Sequence, residues 1–131
     1  MVTRNTRIFS DISLGFGSNP ATADVVQVTN EDAVKASIRN LISTKNFERP
    51  FHPEIGCQLH TLLFENFTPV TIEIAKRMVA DVLRAYEPRA NIQEIRVADS
   101  QDTNELIITV IFTLINSDRP VTVTTILDKA R

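Results

Sequence analysis

Tyr86-Glu87-Pro88-Arg89 divides the chain into two halves with different periods. On its N-terminal side Ile72, Ala75, Val79, Val82, Leu83 and Tyr86 recur at helical spacing, with Glu73 early and Arg84 late, as the helix dipole favours. Thr68 supplies an N-cap, and Pro69 a first helical residue whose missing amide hydrogen would lack a partner anyway. The spacing predicts a helix over 69–86. It stops there because the ring of Pro88 disfavours the α conformation in Glu87. On the C-terminal side the period falls to two. Ile92, Ile95 and Val97 begin a strand, a polar turn follows at 99–104, and Leu106, Ile108, Val110, Phe112 and Leu114 then alternate with Ile107, Thr109, Ile111, Thr113 and Ile115. Both sides of that strand are apolar or β-branched, which predicts a central strand covered on both faces. After a turn at Asn116–Pro120, Val121, Val123, Thr125 and Leu127 alternate with Thr122, Thr124 and Ile126 in a last strand. The predicted class is α+β: N-terminal helices on a C-terminal three-stranded antiparallel meander, with helix 69–86 across the sheet.

Upstream of that helix the pattern is helical and then broken. Val34, Ile38, Leu41, Ile42 and Lys45 mark one face of a helix over 30–44, with Thr29 or Asn30 as its cap and Glu31 and Asp32 at its positive end. Arg49-Pro50-Phe51-His52-Pro53-Glu54-Ile55-Gly56-Cys57 follows. Its two prolines prevent a helix and discourage a central strand, and Gly56 can take a positive φ, so the stretch reads as a shaped loop suited to recognition. Leu59, Leu62, Leu63 and Phe67 suggest a short helix at 58–65. Val25-Val26-Gln27-Val28 is β-prone, and residues 25–131 read as one domain. Residues 1–24 read as an irregular arm. Ile8, Phe9, Ile12, Leu14 and Phe16 give that arm reason to lie on its own domain or a neighbour.

Composition narrows the function. Fourteen basic against sixteen acidic residues, a net charge of −2, provide no basic excess for nucleic acid. No apolar run approaches the ~20 residues of a membrane span, and the N-terminus has no secretory signal pattern. One cysteine among 131 residues excludes an internal disulfide and fits synthesis in a reducing cytoplasm. His52, Cys57 and His60 fall short of the four ligands of a structural zinc site, and Cys57 lacks the flanking pattern of a nucleophile. Gly15-Phe16-Gly17 lacks the rest of a phosphate-binding loop. No cofactor or metal is expected. A glycosidase carboxylate pair drawn from Glu54, Glu65 and Glu87 is the catalytic alternative. Arg49 and Arg89 beside these acids favour ionised, salt-bridged carboxylates over the protonated acid that chemistry requires.

Three stretches carry a resemblance: Arg49 to Cys57, Leu63-Phe64-Glu65-Asn66, and Tyr86-Glu87-Pro88-Arg89. Together they resemble the baseplate wedge family typified by the gene 25 product of contractile-tailed phages, from about residue 30 to the C-terminus. The type VI secretion baseplate has a similar subunit. The resemblance implies a non-catalytic structural protein of the inner baseplate, six copies per baseplate, made in the host cytoplasm and carried in the virion tail. It also implies a fold similar to the sheath handshake domain. Its partners would be a core bundle of larger wedge subunits and the tail sheath protein, with the tail tube nearby. Some family members have been labelled lysozyme-like, which makes a peptidoglycan-degrading hydrolase the alternative function.

On that basis Glu87, Pro88 and Arg89 are expected to dock on the wedge core, with Arg49, Pro50, Phe51, Pro53, Glu54 and Gly56 beside them. Arg89 would offer a bidentate fork to a partner carboxylate or backbone carbonyls, with Glu87 holding the fork in place and Pro88 fixing the separation, and Arg89→Ala would leave folding intact. Val121, Val123, Thr125 and Leu127 are expected to face the sheath, since the last strand is Thr-rich and carries no edge lysine before Lys129.

Overall fold

A computed structural model describes residues 10–12, 20, 27–100, 102–103, 105–115 and 117–128. Two short strands, β1 (Ser10–Ile12) and β2 (Gln27–Thr29), pair antiparallel, with Ser10 opposite Thr29. This part of the N-terminal arm therefore forms a ribbon with its own chain instead of staying irregular. Ile8, Phe9, Leu14, Gly15, Phe16, Gly17, Val25, Val26 and Lys129 lie outside the described residues.

Helix α1 (Glu31–Ser43) buries Ala33, Val34, Ile38, Leu41 and Ile42. The i,i+4 pair Glu31–Lys35 (2.6 Å) sits on its other side. Of the two cap candidates, Asn30 makes no side-chain cap: it adopts φ 54° in the turn out of β2, and its carbonyl accepts from Val34 N at 3.2 Å, while the side chain of Thr29 lies outside the described residues. Lys45 lies beyond the helix end and is exposed. Helix α2 (Leu59–Leu62) is one turn long, shorter than its apolar pattern suggested, because the chain turns again at Leu63–Glu65. Leu62 and Leu63 point into the core and Phe64 outward.

Helix α3 (Pro69–Tyr86) has the predicted boundaries. Thr68 Oγ1 accepts from Thr71 N at 3.2 Å, and Thr71, Ala75, Val79 and Leu83 form its buried stripe. Strands β3 (Ala90–Ser100), β4 (Glu105–Leu114) and β5 (Pro120–Asp128) then form an antiparallel meander in the order β3-β4-β5. A bulge between Ile92 and Glu94 shifts the β3 register at Gln93.

Both α1 and α3 lie on one face of this sheet, α3 against β3 and α1 against β5. Leu106, Ile108, Val110 and Phe112 of β4 are fully buried beneath them, opposite Val121, Val123 and Leu127 of β5. The expectation that β4 is covered on both faces is corrected. Ile107, Thr109 and Ile111 on its other face are half-buried, and Ile126 beside Ile107 is exposed, because the two helices share one side. Among the described residues no helix is long and apolar enough to cross a membrane.

Candidate functional site

The junction of α3 and β3 is built around a buried acid. Leu83 O accepts from Glu87 N at 2.9 Å, closing the last helical turn, and Glu87 O accepts from Ala90 N at 3.3 Å, opening the strand. Pro88 stands exposed between these two bonds and fixes the bend. The Glu87 side chain is 1% exposed. Arg89 returns to it as a fork: Nε donates to Oε1 at 2.6 Å and Nη2 to Oε2 at 2.9 Å. The guanidinium side chain is 25% exposed, so one partner of the pair reaches the surface and the other does not. Arg89 O accepts from Ile115 N at 3.2 Å, tying the joint to the end of β4.

Glu87 holds the Arg89 fork in place, as expected, and the Nε–Nη2 edge is engaged within the chain. One expectation changes here: folding should depend on Arg89, because its removal would strand a carboxylate that has no access to water.

The loop that shares a motif set with this joint is folded just as firmly. Thr44 O accepts from Cys57 N at 2.8 Å at its base, and Pro53 O accepts from Phe47 N at 2.9 Å within it. Glu48 turns back, its Oε2 accepting from Lys45 N at 2.9 Å. Gly56 has φ 150°, and a Cβ there would lie 2.7 Å from Lys45 C and 2.8 Å from Lys45 O. Both are backbone atoms that cannot swing aside, so glycine is required. Arg49, Pro50, Pro53 and Glu54 are exposed, and Phe51 is 96% exposed with φ 71°. Phe47, which the sequence did not single out, is 81% exposed with φ 68°.

A hydrogen bond joins loop and joint: Tyr86 Oη donates to Glu54 O at 3.2 Å. The structure thus brings the 49–56 loop and Glu87–Arg89 into one region. It does not bring Val121, Val123, Thr125 and Leu127 to a surface. All four side chains are buried beneath the helices, and Thr122, Thr124 and Ile126 are the exposed set. What β5 presents outward is its main-chain edge, since among the described residues it pairs with β4 alone.

The catalytic and metal candidates are dispersed. His52 Nδ1 faces Glu54 Oε1 at 3.2 Å, while His60 Nε2 donates to Ser43 O at 3.4 Å. Cys57 is buried, and burial pushes its thiol pKa up. A hydrogen bond from its own backbone amide, then His52, holds the Glu54 carboxyl below the usual range. Glu65 is exposed, and no metal-sized cluster of His, Cys, Asp or Glu occurs among the described residues.

The described residues thus form a helix-backed three-stranded meander with a stiff joint and an exposed loop beside it. Residues 28–119 match the family described as baseplate wedge protein gp25, and the chain belongs to that family. It is 35% identical over 94 residues to the baseplate wedge protein gp25 of Enterobacteria phage T4, covering 72% of this chain and 71% of that protein. Several solved structures share the fold. One, from Geobacter sulfurreducens and provisionally called a tail lysozyme, has a TM-score of 0.69 at 20% identity, covering 75% of this chain and 89% of that one. Another is a chain of the anti-feeding prophage baseplate, with a TM-score of 0.65 at 18% identity, covering 95% of this chain and 88% of that one.

Proposed function

We propose that this baseplate wedge protein sits in the inner baseplate of a contractile tail, in six copies near the tube, and docks on a core bundle of larger wedge subunits. The docking surface is the face that carries the Glu87-Pro88-Arg89 joint and the 49–56 loop. The supporting observation is their convergence: a helix end, a strand start and a closed loop are linked through Tyr86 Oη and Glu54 O. Such a surface is held in place before binding, so little conformational entropy is lost on association.

The edge of β5 gives the sheath protein a place to add a strand when the first ring forms, through main-chain hydrogen bonds. The role is structural and needs no cofactor, metal, nucleic acid or membrane. Glu87 is committed to the Arg89 fork and Glu54 is paired with His52, an arrangement that favours a structural role for both carboxyls over the hydrolase alternative.

Arg89→Lys tests the docking step. Lysine keeps a charge beside Glu87 but cannot reproduce the two-point hold that fixes the joint and so shapes the docking face. The folded variant should fail to enter wedges when produced with the larger wedge subunits, and normal entry would refute the proposal. Thr124→Lys with Ile126→Lys tests the second step, since both side chains are exposed and edge lysines oppose strand pairing. Baseplates should form without sheathed tails; sheathed tails of normal length would rule the template role out.

A further inference from the structure

Among the described residues the loop spanning 44–57 holds two features that folding alone does not explain. Phe47 and Phe51 are exposed at 81% and 96%, and both occupy the positive-φ region, at 68° and 71°. Bulky residues rarely adopt that conformation, and holding it costs free energy. Neither ring recovers the cost by burial in its own chain. The loop is nonetheless ordered by the Thr44–Cys57 and Phe47–Pro53 backbone bonds and by Gly56.

The charges around the rings are uneven. Glu48 is turned inward onto Lys45 N, and Glu54 is paired with His52. Arg49, between the rings in sequence, is exposed and forms no ion pair among the described residues.

The geometry points to Phe47 and Phe51 as a pair of anchors that insert into an apolar pocket of a larger wedge subunit, a pocket with a carboxylate at its rim to receive Arg49. The inference rests on the docking face proposed above and extends it, because the Tyr86–Glu54 bond makes the loop continuous with the Glu87–Arg89 joint. Exposed aromatic rings on a fixed backbone are the form that interface hot spots take. They desolvate fully in a pocket, and the charged neighbour selects its rim. The backbone strain has a use in this arrangement, since it aims the rings away from the core.

Glycine replacements separate the anchor role from a structural one, because glycine accepts φ near 70° without strain. Phe47→Gly and Phe51→Gly are made in the full chain. Unfolding of the isolated protein is followed by circular dichroism, and binding to the purified larger wedge subunits is titrated. The expected result is an unfolding midpoint unchanged or raised, with affinity at least tenfold weaker for each variant. Arg49→Glu is expected to weaken binding at unchanged stability, more at low salt than at high salt.

Wild-type affinity in both glycine variants would overturn the inference. So would a clear fall in their stability, which would make the rings structural, or a self-association of the wild-type chain that the variants abolish, which would make a second copy the occupant. If Arg89→Lys loses binding while the glycine variants keep it, the anchors are wrong and the docking face stands. If Arg89→Lys also binds normally, the docking face itself is wrong.

Discussion

Arg89→Ala removes one half of an ion pair whose other half cannot reach water. Glu87 is 1% exposed and receives both of its short hydrogen bonds, 2.6 and 2.9 Å, from Arg89. Removing one partner of a buried pair costs about 3–5 kcal/mol, mostly the penalty of the stranded charge. A chain of this length has roughly 7–20 kcal/mol of stability in all, so the loss is a large fraction of it. With a urea slope of about 2 kcal/mol per molar, the unfolding midpoint should fall by roughly 1.5–2.5 M. Glu87→Ala strands the guanidinium instead, which is one-quarter exposed and can be hydrated, so it should cost less, about 1.5–3 kcal/mol. The double replacement Glu87→Leu/Arg89→Leu leaves no charge behind and should unfold later than Arg89→Ala. Equilibrium urea unfolding of the four proteins, followed by far-ultraviolet circular dichroism, measures all of these terms. An Arg89→Ala midpoint within about 0.5 M of the parent, or a costlier Glu87→Ala, would refute the account, given the slope used.

Other outcomes follow from single features. Gly56→Ala places a methyl group against the Lys45 carbonyl carbon and oxygen and should destabilise by about 2–4 kcal/mol in the same assay. Thr125 Oγ1 is buried with no hydrogen-bond partner among the described residues, so Thr125→Val should leave stability unchanged or raise it by about 1 kcal/mol; a marked loss would reveal a partner for the hydroxyl. Glu31 with Lys35, Glu54 with its own amide and His52, and Glu94 with Arg96 all have carboxyls held below the ordinary 4.5. Depressed folded values mean that their contribution is present above pH 4.5 and is lost as pH falls through the folded values. Acid titration should therefore show stability falling below that point, and Glu94→Gln should flatten the fall. Cys57 is buried with a raised thiol pKa, so a thiol reagent should label it slowly in the folded protein and quickly in denaturant.

Local patterns carried most of the fold. Thr68-Pro69 and Pro88 bracket α3 through backbone chemistry that needs no distant partner, and the alternation in β4 and β5 is visible within each strand. Features that depend on distant packing were less legible. An apolar strand face reads the same whether or not its own chain covers it, so the open side of β4, with Ile107 and Ile111, could not be distinguished from a covered one. The site was legible as two motifs, but their meeting depends on the Tyr86–Glu54 bond across 32 residues of sequence. The burial of Glu87 was hidden for a related reason. A carboxylate after a helix ordinarily faces solvent, and only the return of Arg89 allows it inside. Phe47 gave no sign, because an aromatic residue between polar neighbours most often packs somewhere in its own fold.

The strand β5 keeps its distinctive side chains, Val121, Val123 and Leu127, turned toward the helices. A chain laid along its outer edge would therefore meet amide and carbonyl groups and the flanks of threonines, with little that distinguishes one visiting sequence from another. Selectivity at such an edge would rest on shape and reach. A visiting strand could change most of its residues and still be accepted, provided that it lay flat and arrived from the right direction.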